Sequence, residues 1–242
     1  MAEAKGPLRW HYEPGRVEAG VDEAGRGCLA GPVFAAAVVW PAISRAEDLD
    51  PKLLRLVRDS KTLSSGQRDR SRAFVEETAV AWAVASASAE EIDRLNILRA
   101  SQLAMRRALD LLHHDVQQDE CSYTRCRPLP DATSAVEFVL VDGDRFDTTY
   151  ISPRGQGAFV PHACFTNGDG RFLAIAAASV LAKTHRDAYV VEQLHPRFPQ
   201  YGWDKSKCYG TAAHLGGLER HGTCVEHRRS FAPVRHAEHA RA

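Results

Sequence analysis

Residues 20–27 read Gly-Val-Asp-Glu-Ala-Gly-Arg-Gly. Two adjacent carboxylates close a short apolar run. A glycine-flanked arginine turn follows, and a second apolar run fills Val33 to Val39. Carboxylates beside buried backbone are costly unless a cation compensates them. Gly25 and Gly27 let backbone N–H groups approach a ligand closely. Acid plus open backbone suggests a divalent metal next to a phosphate or a sugar. A plain strand–turn–strand with surface acids is the alternative for this segment alone.

The 242 residues, 44% hydrophobic, suffice for one sizeable core. No uncharged apolar run reaches membrane-spanning length, and no secretory signal is evident, so the sequence predicts a cytoplasmic protein. Six cysteines, at 28, 121, 126, 164, 208 and 224, include no Cys-x-x-Cys pair. Reduced thiols are expected; a zinc site would have to recruit His113 or His114 to Cys121 and Cys126. Formal net charge is zero. Its distribution is uneven: residues 171–242 carry 11 Lys and Arg against 6 Asp and Glu, the remainder 20 against 25. An acidic site with a separate basic surface fits a metal-dependent nuclease.

Residues 17–23 and 32–40 predict an antiparallel hairpin. A short helix is expected over 51–57. A loop at 59–64 leads to a helix, capped by Ser64 or Ser65, that runs to about Glu77. Residues 80–89 predict a third strand. Asp93 is expected to cap one long helix through about Leu112. Residues 113–135 read as a surface excursion. Val136–Val141 is a fourth strand, and 144–169 is irregular with a short strand near Ala158–Phe165. A helix from Arg171 to about Gln193 precedes short helices from Thr211 and a frayed tail after Val234. This order predicts an α/β fold, a mixed sheet flanked by helices. The expected division is 1–195 for the sheet domain and 196–242 for a small C-terminal helical portion.

Asp142 follows the Phe138–Val141 run as Asp22 follows Gly20-Val21. Acids at strand ends are held by a rigid sheet yet open to solvent, and they can share a metal. Ser179, Lys183 and Asp187 are spaced by four and lie on one helix face. The alanines around them permit close packing that could carry Asp187 toward the strand ends. An exposed Lys183–Asp187 pair worth about 0.3 kcal/mol is the competing reading. Four clustered acids repel unless compensated. Two hard cations would relieve that, and oxygen ligands suit Mg²⁺ or Mn²⁺. In phosphodiester hydrolysis one ion activates water while the other stabilises the leaving O3′. In the 201–211 loop, aromatics alternate with Lys205 and Lys207, a pattern suited to stacking and phosphate contact. Ser60 and Lys61 offer a hydroxyl and an ammonium to a backbone phosphate.

These segments together resemble the type 2 ribonuclease H family, RNase HII. The resemblance rests on G20-V-D-E-A-G-R-G27, D59-S-K-T-L-S64, E91-I-D93 with N96-I97, V141-D-G143, I175-A-A-A-S-V-L-A-K183 with R186-D187, K205-x-K-x-Y-G-T211 with H214, and H227-R-R-S-F-A-P-V234. It implies an RNase H-like fold and a metal-binding quartet of Asp22, Glu23, Asp142 and Asp187. It further implies that Gly25, Arg26 and Gly27 read the ribonucleotide 2′-OH, that Tyr209 stacks on the adjoining deoxyribose, and that Lys61 contacts phosphate. Lys183 is a further candidate for phosphate contact. The implied activity cleaves the RNA strand of RNA/DNA hybrids and incises 5′ of single ribonucleotides in duplex DNA, leaving 3′-OH and 5′-phosphate ends.

Three positions depart from the family pattern. Cys28 and Cys208 stand where Pro and Gly are usual, and Asn167 stands where a lysine commonly precedes Gly-Asp. The tail carries no Gln-and-aromatic sliding-clamp motif, and a monomer is expected. A hybrid ribonuclease that needs consecutive ribonucleotides and an inactive nucleic-acid-binding protein are the alternatives.

Overall fold

The computed structural model describes residues 7–113, 123–131, 134–147, 150 and 159–239. Its core is a six-stranded sheet formed by β1 (Glu18–Ala24), β2 (Val33–Val39), β3 (Ala81–Ala87), β4 (Thr124–Arg127), β5 (Phe138–Asp142) and β6 (His162–Phe165). The strand order is β4-β3-β2-β1-β5-β6. Neighbours from β1 to β4 are antiparallel, whereas β5 runs parallel to both β1 and β6. The expected hairpin and mixed sheet are therefore present.

Eight helices are described: α1 (Pro51–Leu54), α2 (Ser65–Thr78), α3 (Ala89–Leu95), α4 (Ile97–Leu111), α5 (Leu173–Tyr189), α6 (Trp203–Ser206), α7 (Ala212–His221) and α8 (Ala232–His239). β2 is buried along its whole length. Ala100, Ala104 and Ala108 of α4 join the core on one sheet face, and Ala174, Ala177 and Ala178 of α5 join it on the other. Small side chains let both helices approach closely, which explains why alanine-rich β2 and β3 are nevertheless central strands. The closest approach is at Gly20. A methyl group there would stand 2.6 Å from the Ala174 carbonyl oxygen, so only glycine seats α5 on β1.

The long helix expected over 93–112 is two helices. Ser88 and Glu91 form a reciprocal capping box that starts α3. Asn96, at φ 72°, breaks the chain and caps α4 through the Arg99 amide. Asp93 is thus not a cap. Its carboxylate accepts from the Arg229 and Ser230 amides and from the Ser230 hydroxyl, tying the C-terminal segment to α3. The 113–135 excursion contains the edge strand β4, although 114–122, including Cys121 and His114, lie outside the described residues. The tail beyond Val234 is helical through His239 rather than frayed. After Tyr189, α5 widens into a π turn, Val190–Leu194. Trp203 of α6 joins a cluster of Cys28, Ala30, Val190, Leu194, Tyr201 and Cys208, and α7 and α8 meet Leu29 through Leu218 and Val234. The C-terminal helices are therefore built around the loop that follows Gly27.

Candidate active site

Parallel pairing of β1 with β5 sets Val21 opposite Val141. One residue further along each strand stand Asp22 and Asp142, side by side where β5 ends and its ladder with β1 stops. Gly143 then turns the chain away at φ 107°. Asp142 is oriented by the Gly168 amide, which donates to its Oδ1 at 2.7 Å. Asp22 is buried. Burial first, then the charges of Glu23 and Asp142, push its carboxyl well above the usual range, opposed by a hydrogen bond from Ser179. Burial raises Glu23 as well; Arg26 and Lys61 pull it down, and Asp142 pushes it up. Arg26 Nη1 lies 3.0 Å from Glu23 Oε1. The charges of Asp22, Glu23 and Asp142 thus act on one another.

Ser60 was expected at a phosphate. It is buried, and its hydroxyl lies 3.1 Å from that of Ser179, whose side chain reaches Asp22. Ser60 therefore props the acidic site from behind, while Lys61 on the same 3₁₀ turn is exposed and acts on Glu23.

Asp187 takes its closest charged partners from α5 itself. It lies eight residues beyond Ser179 on α5, about 12 Å along the helix axis. There it pairs with Lys183 at 2.9 Å and Arg186 at 3.5 Å. Lys183 also lies over the Tyr209 ring, 5.4 Å from its centroid. The sequence reading passed over Asp169. This buried acid sits on the Gly168–Gly170 turn that supplies the amide to Asp142. Its glycine-flanked setting, Asn-Gly-Asp-Gly, was the available signal.

The Gly25–Gly27 turn is fixed from below by two buried guanidinium groups. Arg228 donates to the Arg26 carbonyl and to the Gly31 carbonyl, each at 2.9 Å. Arg186 lies against the face of Gly25, which has φ 96°; a methyl there would stand 2.6 Å from Arg186 Cδ. Arg26 and Gly27 are exposed, and a methyl on Gly27 would meet nothing within 4 Å. The next residues pair with the Tyr209 loop: Cys28 bridges Tyr209, and the Leu29 amide donates to the Cys208 carbonyl at 2.9 Å. Lys207 and Cys208 have φ 48° and 64°. Cys208 thus adopts the left-handed backbone that glycine favours, and the loop keeps that path. The Lys207 amino group folds back onto the Asp204 carbonyl, Lys205 is exposed, and the Tyr209 ring is partly exposed.

Behind this loop His214 and His227, quoted in separate segments of the resemblance, meet as a pair. His214 Nδ1 donates to the Tyr209 carbonyl at 3.0 Å, and its Nε2 accepts from Trp203 Nε1 at 3.0 Å. His227 Nε2 lies 3.1 Å from His214 Nε2, and His227 Nδ1 accepts from the Cys224 amide at 2.9 Å. This pattern suits two neutral rings. Burial, then the neighbouring His214, pulls His227 down to about 3.

Among the described residues, Cys28, Cys126, Cys164, Cys208 and Cys224 are free thiols. No helix among them is long and apolar enough to cross a membrane. No group of three or more carboxylate, imidazole or thiol side chains among them stands arranged to hold a metal ion. The donor set itself suits a hard divalent cation: carboxylate oxygens from two adjacent strands, mutually repelling and partly desolvated.

Sheet order, flanking helices and the C-terminal helical portion define an RNase H-like protein. The family model described as Ribonuclease HII matches residues 19–234, and the chain belongs to that family. It is 44% identical over 221 residues to a ribonuclease HII of Parabacteroides distasonis, covering 91% of this chain and 92% of the relative. It is 43% identical over 215 residues to one of Bacteroides thetaiotaomicron, covering 89% of each. Its fold matches the crystal structure of the ribonuclease H2 from Pyrococcus horikoshii OT3 with TM-score 0.63 at 22% identity, covering 92% of this chain and 97% of that one.

Proposed function

We propose that the protein is an endoribonuclease that hydrolyses the RNA strand of RNA/DNA hybrids and incises 5′ of single ribonucleotides in duplex DNA, leaving 3′-OH and 5′-phosphate. The observation that carries this reading is the juxtaposition of Asp22 and Asp142 one residue beyond the Val21–Val141 pair, with Glu23 next to Asp22 and the open Gly25–Gly27 turn following in the chain. Asp22, Glu23 and Asp142 would hold Mg²⁺ or Mn²⁺. Two such ions would supply an activated water and charge stabilisation at the leaving oxygen.

The chain's own groups do the rest. Gly168 and Ser179 orient Asp142 and Asp22. The exposed Arg26–Gly27 turn offers backbone groups at Gly27 to a 2′-OH, the group that distinguishes RNA from DNA. Tyr209 offers a ring face to the adjoining deoxyribose, and Lys61 offers its charge to a phosphate. For a fourth carboxylate, the place of Asp169 on the turn whose Gly168 amide holds Asp142 supports it over Asp187, which two cations already engage.

The test is cleavage of labelled duplex DNA carrying one ribonucleotide or none, with Mg²⁺ or Mn²⁺. Cutting only the ribonucleotide duplex is expected; cutting both equally, or neither, would sink the reading. Asp169→Asn should lower turnover by about 100-fold or more if this carboxylate serves the reaction. Near-normal turnover would remove it from the set.

A further inference from the structure

We propose that Arg186 is a positioning residue that fixes the Gly25 turn relative to the Tyr209 loop, and thereby sets the preference for a lone ribonucleotide over a run of them. This rests on the proposed junction-reading activity. Arg186 is fully buried. A buried guanidinium is costly unless its surroundings hold it. Here Nη2 donates to the Lys207 carbonyl at 3.0 Å, and Nη1 lies 3.5 Å from Asp187 Oδ1. The guanidinium carbon stands 5.8 Å from the Tyr209 ring centroid. Nε has no hydrogen-bond partner among the described residues. It lies instead against Gly25, in the space a side chain there would take.

One rigid, planar group therefore touches both elements assigned to substrate reading. On its Gly25 side is a turn at positive φ. On its other side are Lys207 and Cys208, two consecutive non-glycine residues at positive φ. Such backbone persists only where the surroundings over-determine it. Asp187 becomes a counter-charge of this wedge. A lysine could keep the charge but not the planar fork that spans the gap.

The consequence is selective. A continuous hybrid offers a 2′-OH and an A-like backbone at every step, so a small shift between the two elements still finds partners. A lone ribonucleotide offers one 2′-OH to the turn and one deoxyribose to Tyr209, and both must be met at once.

The test compares full-length wild type, Arg186→Lys and Asp187→Asn on two substrates in Mn²⁺: duplex DNA with one ribonucleotide, and a hybrid with a continuous RNA strand. Arg186→Lys should lower kcat/KM on the first by about 10-fold or more beyond its fall on the second, since misplacements near 1 Å carry such losses. The Mn²⁺ concentration giving half-maximal rate should not move. An equal fall on both substrates, or none, overturns the proposal. If Arg186→Lys does not fold, Asp187→Asn carries the test, with a smaller loss of the same selectivity expected. Loss of both activities by Asp187→Asn with a raised Mn²⁺ requirement would make Asp187 an ion ligand and overturn the proposal. Wild type that cuts the hybrid but not the single-ribonucleotide duplex overturns the junction reading itself, before any variant is measured.

Discussion

Asp22 and Asp142 stand at the same rank of the β1–β5 ladder, one residue beyond the Val21–Val141 pair, so two separate segments bring their carboxylates to one edge. Burial and the charges of Glu23 and Asp142 raise the cost of ionising Asp22, opposed by hydrogen bonds from Ser179 and the Glu23 amide, while Arg26 and Lys61 act on Glu23. The folded chain stores this repulsion as instability that a bound cation would relieve.

Asp22→Asn should therefore separate stability from activity. Removing one buried charge is expected to raise the metal-free melting temperature by about 2–4 °C, the shift that roughly 1 kcal/mol gives a chain of this size. Turnover should fall by about 100-fold or more. Thermal melts in chelator, beside single-turnover cleavage, check both. A lower melting temperature would mean that Asp22 is compensated within the protein.

Gly27→Ala probes the turn from the substrate side. The added methyl meets no protein atom within 4 Å, and Gly27 does not have positive φ. Folding stability should change by less than about 0.5 kcal/mol. KM for the single-ribonucleotide duplex should rise by about 10-fold, because the methyl would stand where the sugar must approach. Unchanged KM would take Gly27 out of the contact surface. Gly25→Ala is a different experiment, since there the methyl collides with Arg186 and the backbone is left-handed.

The hairpin, the central strands and the pair Asp22–Asp142 were legible because apolar runs ended in acids followed by glycine. The break at Asn96 was written in the sequence as Ser88-x-x-Glu91 followed by an asparagine cap, but the continuing apolar stripe of α4 masked it. β4 carried little signal: Thr-Arg-Cys-Arg is a polar edge strand that alternates between part-buried and exposed, so hydrophobic period could not mark it. Spacing alone does not settle the place of Asp187. Four-residue intervals put it on the face of Ser179 and Lys183, but a shared face does not say how far along the axis the partner strands end. The His214–His227 contact joins residues on different segments of the C-terminal portion, and nothing in local pattern announces it.

Gly20→Ala tests how far the acidic site depends on helix seating. The methyl would overlap the backbone of Ala174 and Ile175, so α5 must move off β1. Overpacking of this kind costs about 1–3 kcal/mol. Because α5 also carries Ser179 to Asp22, turnover should drop at temperatures well below the new melting point. Denaturant unfolding with cleavage assays at 25 °C would check this. Full activity in a destabilised variant would show that Ser179 tolerates the shift.

His227 gives the protein an acid limit whose sign follows from linkage. In the unfolded chain a histidine takes up its proton near 6.5, whereas burial and His214 hold the native ring unprotonated down to about 3. Between these values the unfolded state binds the extra proton. The stability His227 contributes is therefore complete above about pH 6.5 and is lost as pH falls below it, by up to about 1.4 kcal/mol per pH unit. Burial lowers His214 too, so its contribution has the same sign. Melting temperature should decline from pH 7 to pH 5, and Tyr209-loop amides should exchange faster first, since His214 Nδ1 holds the Tyr209 carbonyl. His227→Gln keeps a donor for His214 but cannot be protonated. It should flatten the pH dependence of the melting temperature over that interval, and an unchanged slope would place the acid sensitivity elsewhere.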